Sequence, residues 1–446
     1  MLSQLFGKFE SREEVQKFGL LGVIFGLIIG AYWAMRPIKD SIFFSMVGVN
    51  YQPVAKWISL IVVSTLVIIY SKLIDTFPRH KVFYALTLLY GALALIFAWY
   101  FFDPVIGLAN TQEDPSRILG WAWYCYVESF GSLIVALFWA ISTDTTMPEV
   151  AKRGFPLIAL FGQFGNIFGP WLLRAERWGW ANSAPIVLIL GFIMLAMALM
   201  MFVFMRVVPQ SQLVGYHGSN EEKETEPGFL EGLKLLVTKS YLLGIFAIIT
   251  IYEIIVTIFD YHFKAEAKAV FAAEKDLANY LADYAVWTGI IAFLCVLCGI
   301  NSIQRRLGMK ASLLMMPILV AAAVITLKFN PSLSVAFWIM VISKAVNYAL
   351  NQPTIKQVYI PTTKDTKYKA TAWLEMFGSR GAKAGGSAIN AFRGVFKGQY
   401  GPAAGVSWFL TISTAASMGM IFVWLFAAIF VAKTYNKAIA ENKVVC

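Results

Sequence analysis

Long stretches without a single charge are what this chain must accommodate. Phe18–Met35, Val82–Phe102, Gly154–Leu173, Trp178–Met205, Tyr284–Gln304 and Gly398–Ala432 hold no Asp, Glu, Lys or Arg. Each is near or above the roughly 18–20 apolar residues that cross a bilayer as helix. In hydrocarbon every backbone polar group must be satisfied internally, so only helices and closed barrels can span. No ten-residue alternation of apolar and polar residues runs through the 446 residues, which argues against a barrel. Composition agrees, with 59% hydrophobic and only 14% charged residues, against about 25% charged in soluble domains. An all-α integral membrane protein is predicted.

Breaks at charges, Pro and Gly give about twelve spans: 18–35, 57–75, 82–102, 118–142, 154–173, 184–206, 241–262, 284–303, 311–328, 332–351, 369–392 and 404–432. The clearly aqueous stretch, Ser211–Gly228, falls between the sixth and seventh. The expected organisation is an N-terminal interfacial segment (1–17), a six-helix half (18–208), a cytoplasmic linker (209–228), a second six-helix half (229–433) and a cytoplasmic tail (434–446). Leu2, Leu5, Phe6 and Phe9 against Lys8, Arg12 and Glu13 suit a short helix lying in the membrane interface.

Orientation follows from Lys/Arg bias. With the N-terminus inside, 22 of the 37 basic residues fall on inner segments, 12 on outer segments or helix ends, and Lys344, Arg380 and Lys383 at membrane depth. Both termini are therefore expected in the cytoplasm of a bacterium, with the chain in its inner membrane. The start has no cleavable-signal or transit-peptide pattern. The same bias accounts for much of the net +11 charge without nucleic acid as a partner. Two six-helix halves with a polar linker are the layout of major-facilitator-type carriers, whose substrate site lies between the halves near the midplane.

Cysteine and histidine chemistry offers little. Cys295 and Cys298 form a lone Cys-x-x-Cys pair in an apolar run, and His80, His217 and His262 are scattered, so neither a metal site nor another cofactor is expected. Ionisable groups inside the spans are more informative, because each costs roughly 2.5–3.5 kcal/mol at a helix centre and marks a watery cavity or a partner. Arg36-Pro37-Ile38-Lys39-Asp40 follows the first apolar run. If the helix continues past Pro37, Arg36 and Lys39 share a face; otherwise they are solvated in a loop. Glu128 stands alone, with ten uncharged residues before it and fifteen after. Glu253 and Asp260 lie two turns apart on one helix, with Lys264 a further turn along in a pairing that suits structure as well as function. Lys344 is deep in an apolar span, and Asn351-Gln352-Pro353-Thr354 precedes Tyr359-Ile360-Pro361, which is expected to break the helix into a loop. Gly378-Ser379-Arg380-Gly381-Ala382-Lys383-Ala384-Gly385-Gly386 places Arg380 and Lys383 on one face. It superficially resembles a phosphate loop but lacks the Ser/Thr after the lysine and a preceding strand.

Arg36, Lys39, Lys344, Arg380 and Lys383 stand against three carboxylates, Glu128, Glu253 and Asp260, so a surplus of two positive charges needs an anion. A phosphate-bearing ligand suits Arg forks and Lys point charges. Tyr124, Phe164 and Tyr348 are candidates to stack a base.

At these residues the chain resembles the ATP/ADP translocase (nucleotide transporter) family of obligate intracellular bacteria and plastids. Arg36-Pro-Ile-Lys39-Asp40 resembles the family's Leu-Lys-Asp motif, and Tyr126-Val-Glu128-Ser-Phe-Gly131-Ser132 its Ala-Glu-Leu-Trp-Gly-Ser helix. Phe259-Asp260-Tyr-His-Phe-Lys264 resembles Val-Glu-Val-Thr-Trp-Lys, with Asp in place of Glu. Tyr359-Ile-Pro361 through Gly386 is similar to its Tyr-Ile-Pro, Lys-Gly-Lys-Ala and Gly-Lys-Ser-Gly-Gly ending. The resemblance implies that Lys39 and Lys383 are the key phosphate-binding lysines and that Glu128 and Asp260 stand at the family's paired glutamates. It implies a monomeric carrier, not an enzyme, that exchanges ATP for ADP, with other nucleoside triphosphates as further substrates. A proton-coupled importer of nucleotides or another organic phosphate is the alternative, and a membrane-embedded transferase ranks behind both.

Overall fold

A computed structural model describes residues 11–213, 234, 236–298, 301–363, 374 and 378–445. The expected interfacial residues Leu2, Leu5, Phe6 and Phe9, the polar linker from residue 214 onward, and residues 364–373 and 375–377 of the last motif lie outside the described residues.

Among the described residues, twelve long helices follow one another: α1 Arg12–Met46, α2 Gln52–Thr76, α3 Arg79–Phe102, α4 Ile118–Asp144, α5 Pro148–Leu172, α6 Ala184–Val207, α7 Ser240–Val270, α8 Glu274–Leu297, α9 Asn301–Phe329, α10 Leu333–Val358, α11 Ser379–Tyr400 and α12 Pro402–Ala440. Among the described residues, ten are long and apolar enough to cross a membrane. The other two, α5 and α11, carry more polar residues on helices of 25 and 22 residues. Each expected span is represented by one of these helices.

Proline decides two local questions. α1 runs as one 35-residue helix through Pro37, so Arg36 and Lys39 belong to a helix and not to a loop. α10 likewise runs through Pro353, beyond the expected span end at 351, and stops at Val358, immediately before Tyr359-Ile360-Pro361. It does so through a π-helical stretch, Asn347–Asn351, immediately before the proline. The wider turn changes the bonding frame where Pro353 has no N–H to offer.

The chain divides into two compact units. The first comprises Met1–Tyr51, Ile61–Glu221 and Lys268–Gly289; the second comprises Gln52–Leu60, Glu222–Ala267 and Ile290–Cys446. Residues 268–289 belong by sequence to the second six-helix half yet pack in the first unit, and the first turns of α2 pack in the second.

In the first unit α1 packs along α5, and α3 along α6. Small residues let the α1 and α5 backbones approach: a Cβ on Gly165 would lie 2.3 Å from the Gly26 carbonyl oxygen, and one on Gly169 would lie 2.2 Å from that of Gly30. Ser11 caps α1 by accepting the Glu14 N–H at 3.1 Å. Glu14 in turn accepts from Arg153 at the start of α5 at 3.2 Å. Buried Lys17 donates to the Thr145 and Gln212 carbonyls, at 2.5 and 2.7 Å. These bonds satisfy backbone acceptors just past α4 and α6, a favourable place for a cation.

In the second unit α12 packs on α9 and α11. α7 meets α11 closely enough that a Cβ on Gly386 would lie 2.8 Å from the Ile254 carbonyl oxygen. Asn390 of α11 donates to the Thr257 carbonyl at 3.1 Å.

Candidate functional site

Within the first unit, the stretch of α1 beyond Pro37 faces α4. Lys39 is buried and its Nζ bonds the Glu128 carboxylate. A second carboxylate, Asp40, lies 3.6 Å away. The ammonium also sits 4.3 Å from the Tyr124 ring centroid, so one face of that ring is taken by a cation. Tyr124 is fully buried with Phe43 edge-on to it at 5.1 Å. Glu128 keeps 39% of its side chain exposed, so it is far less enclosed than Lys39. Arg36, one turn earlier on α1, rests on Trp33 at 4.7 Å and Tyr32 at 5.7 Å. Phe164 is on α5, 44% exposed and 6.2 Å from Phe168.

The second unit is organised around Asp260 of α7. One carboxylate oxygen meets Lys264 at 2.5 Å and the other meets Lys344 of α10 at 2.8 Å. All three side chains are buried. Lys56, in the part of α2 that belongs to this unit, is close enough to act electrostatically on the same carboxylate. Two turns before Asp260, Glu253 lies 3.7 Å from Lys383 of α11, whose side chain is half exposed. Arg380, one turn before Lys383, is partly buried. Tyr348, 39% exposed, is in the π-helical stretch that follows Lys344. Further along α7, Arg393 of α11 bonds Glu266 at 2.6 Å, with His262 3.8 Å from the same oxygen.

Three residues outside the sequence-derived set therefore join it. Asp40 is adjacent to Lys39 in sequence; its local signal is the Arg-Pro-Ile-Lys-Asp run. Lys264 carries an i,i+4 signal, but only the fold shows that it shares its carboxylate with Lys344. Lys56 has no local signal, since only tertiary packing brings it near enough to Asp260 to act on it electrostatically.

Charge is distributed unequally. In the first unit Arg36 and Lys39 stand against Asp40 and Glu128, a balance. In the second, Lys264, Lys344, Arg380 and Lys383 stand against Glu253 and Asp260, a surplus of two before Lys56 is added. Such a surplus favours anionic ligands, and the half-exposed Lys383 is the most accessible of these lysines. Among the described residues no cluster of His, Cys, Asp and Glu could hold a metal ion.

Several known proteins are similar to this chain in sequence or in fold. A family profile described as TLC ATP/ADP transporter matches residues 6–331 and 323–435. ADP,ATP carrier protein 1 of Rickettsia prowazekii (strain Madrid E) is 24% identical, over 96% of this chain and 95% of that protein. ADP,ATP carrier protein 2, chloroplastic, of Arabidopsis thaliana is 21% identical, over 96% of this chain and 76% of the relative. Among solved structures, a bacterial homologue of the lysosomal transporter Spinster, inward-facing and unoccupied, aligns with a TM-score of 0.62 at 15% identity, over 96% of this chain and 99% of that one. A bacterial homologue of the iron transporter ferroportin, inward-facing, aligns with a TM-score of 0.64 at 13% identity, over 94% and 100%. The structural likeness is one of fold, that of major-facilitator-like transporters. The profile matches nearly the whole length, and the chain belongs to the TLC ATP/ADP transporter family.

Proposed function

We propose that this chain carries nucleotides across a bacterial inner membrane by alternating access, exchanging ATP for ADP. The observation that carries the reading is family membership along nearly the full chain, with relatives named ADP,ATP carriers. The charge distribution supports it, because buried lysines paired with carboxylates suit a ligand whose phosphates compete for the lysines. Lys39 and Lys383 bind phosphate from the two six-helix halves, 18–208 and 229–433, and Arg36, Arg380 and Lys344 add charge. Glu128, Asp260 and Glu253 hold these cations when no ligand is present and hand them to phosphate when it binds, which links occupancy to rearrangement. The carrier works as a monomer with both termini in the cytoplasm.

The test is transport by the purified chain in liposomes loaded with candidate nucleotides. Labelled ATP should enter only when ADP or ATP is inside. Uptake into empty liposomes that follows an imposed proton gradient would replace exchange with proton-coupled import.

A further inference from the structure

The first unit is sealed at one end by a piece of the other half of the sequence. That end carries the loop 103–117, which Arg117 ties together by donating to the carbonyls of Asn110, Gln112, Ile106 and Gly107 at 3.0, 2.9, 2.9 and 2.6 Å. The loop presents Glu113 to Lys268 at 3.3 Å, and Lys268 also donates to Ser45 of α1 at 3.3 Å. Further along, Asp283 meets Arg174 at 2.6 Å. A Cβ on Gly289 would lie 3.0 Å from the Ile167 side chain on α5.

At the centre of this seal is Glu274, the first residue of α8. It is buried, and it accepts hydrogen bonds from Ser41 Oγ at 2.8 Å, Ser183 Oγ at 2.7 Å and the Ser183 backbone N–H at 3.0 Å. Among the described residues no cation lies within ion-pair distance of it. A buried carboxylate whose direct hydrogen bonds all come from neutral donors, with Lys268 acting on it only from beyond ion-pair distance, is an expensive choice for a static core, since an apolar residue would fill the space without a desolvation cost. It is a good choice for a contact that must open, because water replaces hydroxyl and amide donors on separation and solvates the carboxylate in full.

We infer that Glu274 is a latch: it closes the loop end of the carrier by hydrogen bonding to Ser41 and Ser183, and it lets go when that end opens. α8 is built for this, with Glu274 through Gly289 packed in the first unit and the rest of the helix, from Ile290, in the second. Ser41 is two residues beyond Lys39 on α1, so the latch and the phosphate-side cation share one stretch of helix. The inference requires that the protein alternates between open and closed ends, but not that its cargo is a nucleotide.

The experiment uses the full chain with Cys125, Cys295, Cys298 and Cys446 replaced by Ser and a reporter cysteine at buried Asn279 on α8. In lipid nanodiscs both faces meet solvent, and the rate of labelling by a charged maleimide reads out opening. Glu274→Ala should raise that rate at least tenfold. Ser41→Ala with Ser183→Ala should do the same with Glu274 intact, which covers the case in which Glu274→Ala fails to fold. Glu274→Gln should raise it less, because the amide oxygen still accepts from both hydroxyls. Equal rates in the starting protein and the serine double variant, each with an unchanged melting temperature, would overturn the latch. Because the readout contains no nucleotide, a failed latch leaves the exchange proposal standing, and failed exchange leaves the latch standing.

Discussion

Asp260 spends both carboxylate oxygens on lysines, and each lysine is buried with it. Removing its charge takes away the carboxylate that both buried ammonium groups share, and breaking a buried ion pair by removing one partner typically costs about 3–5 kcal/mol. Asp260→Asn should therefore lower the melting temperature in detergent by several degrees as well as impair transport, and adding Lys344→Met to it should recover part of the stability without recovering transport. Lys383 is a different case. Half exposed and 3.7 Å from Glu253, it contributes little to folding, so Lys383→Ala should shift stability by no more than about 0.5 kcal/mol. Its effect should fall on uptake, which is expected to disappear; an active, stable Lys383→Ala carrier would remove it from the site. Lys39→Ala should also abolish uptake, but with some loss of stability, because Asp40 beside it is buried. At this scale the sequence singled out Lys39, Asp260 and Lys344, which are buried, together with Glu128 and Lys383, which keep 39% and 50% of their side chains exposed, and it was silent about who meets whom. Lys344 is conspicuous in an apolar helix, yet its partner lies 84 positions earlier. The Glu253–Lys383 pairing likewise crosses helices, and no spacing rule reaches that far.

Helices explain why the pairs can form at all. α1 presents Gly22, Gly26 and Gly30 at four-residue intervals, and α5 answers with Gly165 and Gly169. Without a hydrophobic drive between helices in lipid, small residues on facing ridges let backbones touch and van der Waals packing hold them. This contact aligns α1 in the first unit and so fixes where Lys39 emerges. Gly165→Leu should be severely destabilising, beyond the roughly 1–3 kcal/mol of ordinary overpacking, because the obstruction is the Gly26 carbonyl and not a side chain that can turn aside. Gly419→Ala in α12 is the matched control. Its Cβ meets nothing within 4 Å, so the change should be neutral or slightly stabilising by helix propensity. A thermal melt of each variant decides it, and equal melting temperatures would mean that the close contact is not needed. The four-residue glycine spacing is plain in the sequence, but a sticky face on one helix does not name its partner. Nor does a proline announce whether it ends a helix: Pro37 and Pro353 have the same local signal as a breaker, and packing along the length of α1 and a π-helical stretch in α10 carry the helices through.

At the scale of the molecule, the twelve-helix architecture was legible because the bilayer leaves so few solutions for a chain with these apolar runs. The division into packed units was not, since residues 268–289 and the start of α2 exchange allegiance through tertiary contacts with no local signal. Charge gives the whole molecule its most direct functional test. ATP bears about four negative charges and ADP about three, so one-for-one exchange moves about one net charge per cycle, worth about 2.3 kcal/mol per 100 mV. Since about 1.4 kcal/mol corresponds to a tenfold ratio, 100 mV should bias the steady ATP distribution about fifty-fold. An inside-positive potential imposed on liposomes loaded with ADP should therefore speed ATP entry, and an inside-negative one should slow it. The second unit's surplus of positive charge bears on the same point, because a fixed set of site cations cannot neutralise both ligands equally and some charge must travel with the substrate. Exchange that ignores voltage while measured fluxes of protons and phosphate are zero would contradict one-for-one movement of the fully ionised nucleotides. If a proton or phosphate accompanies the nucleotide, voltage dependence should return when that ion is withheld.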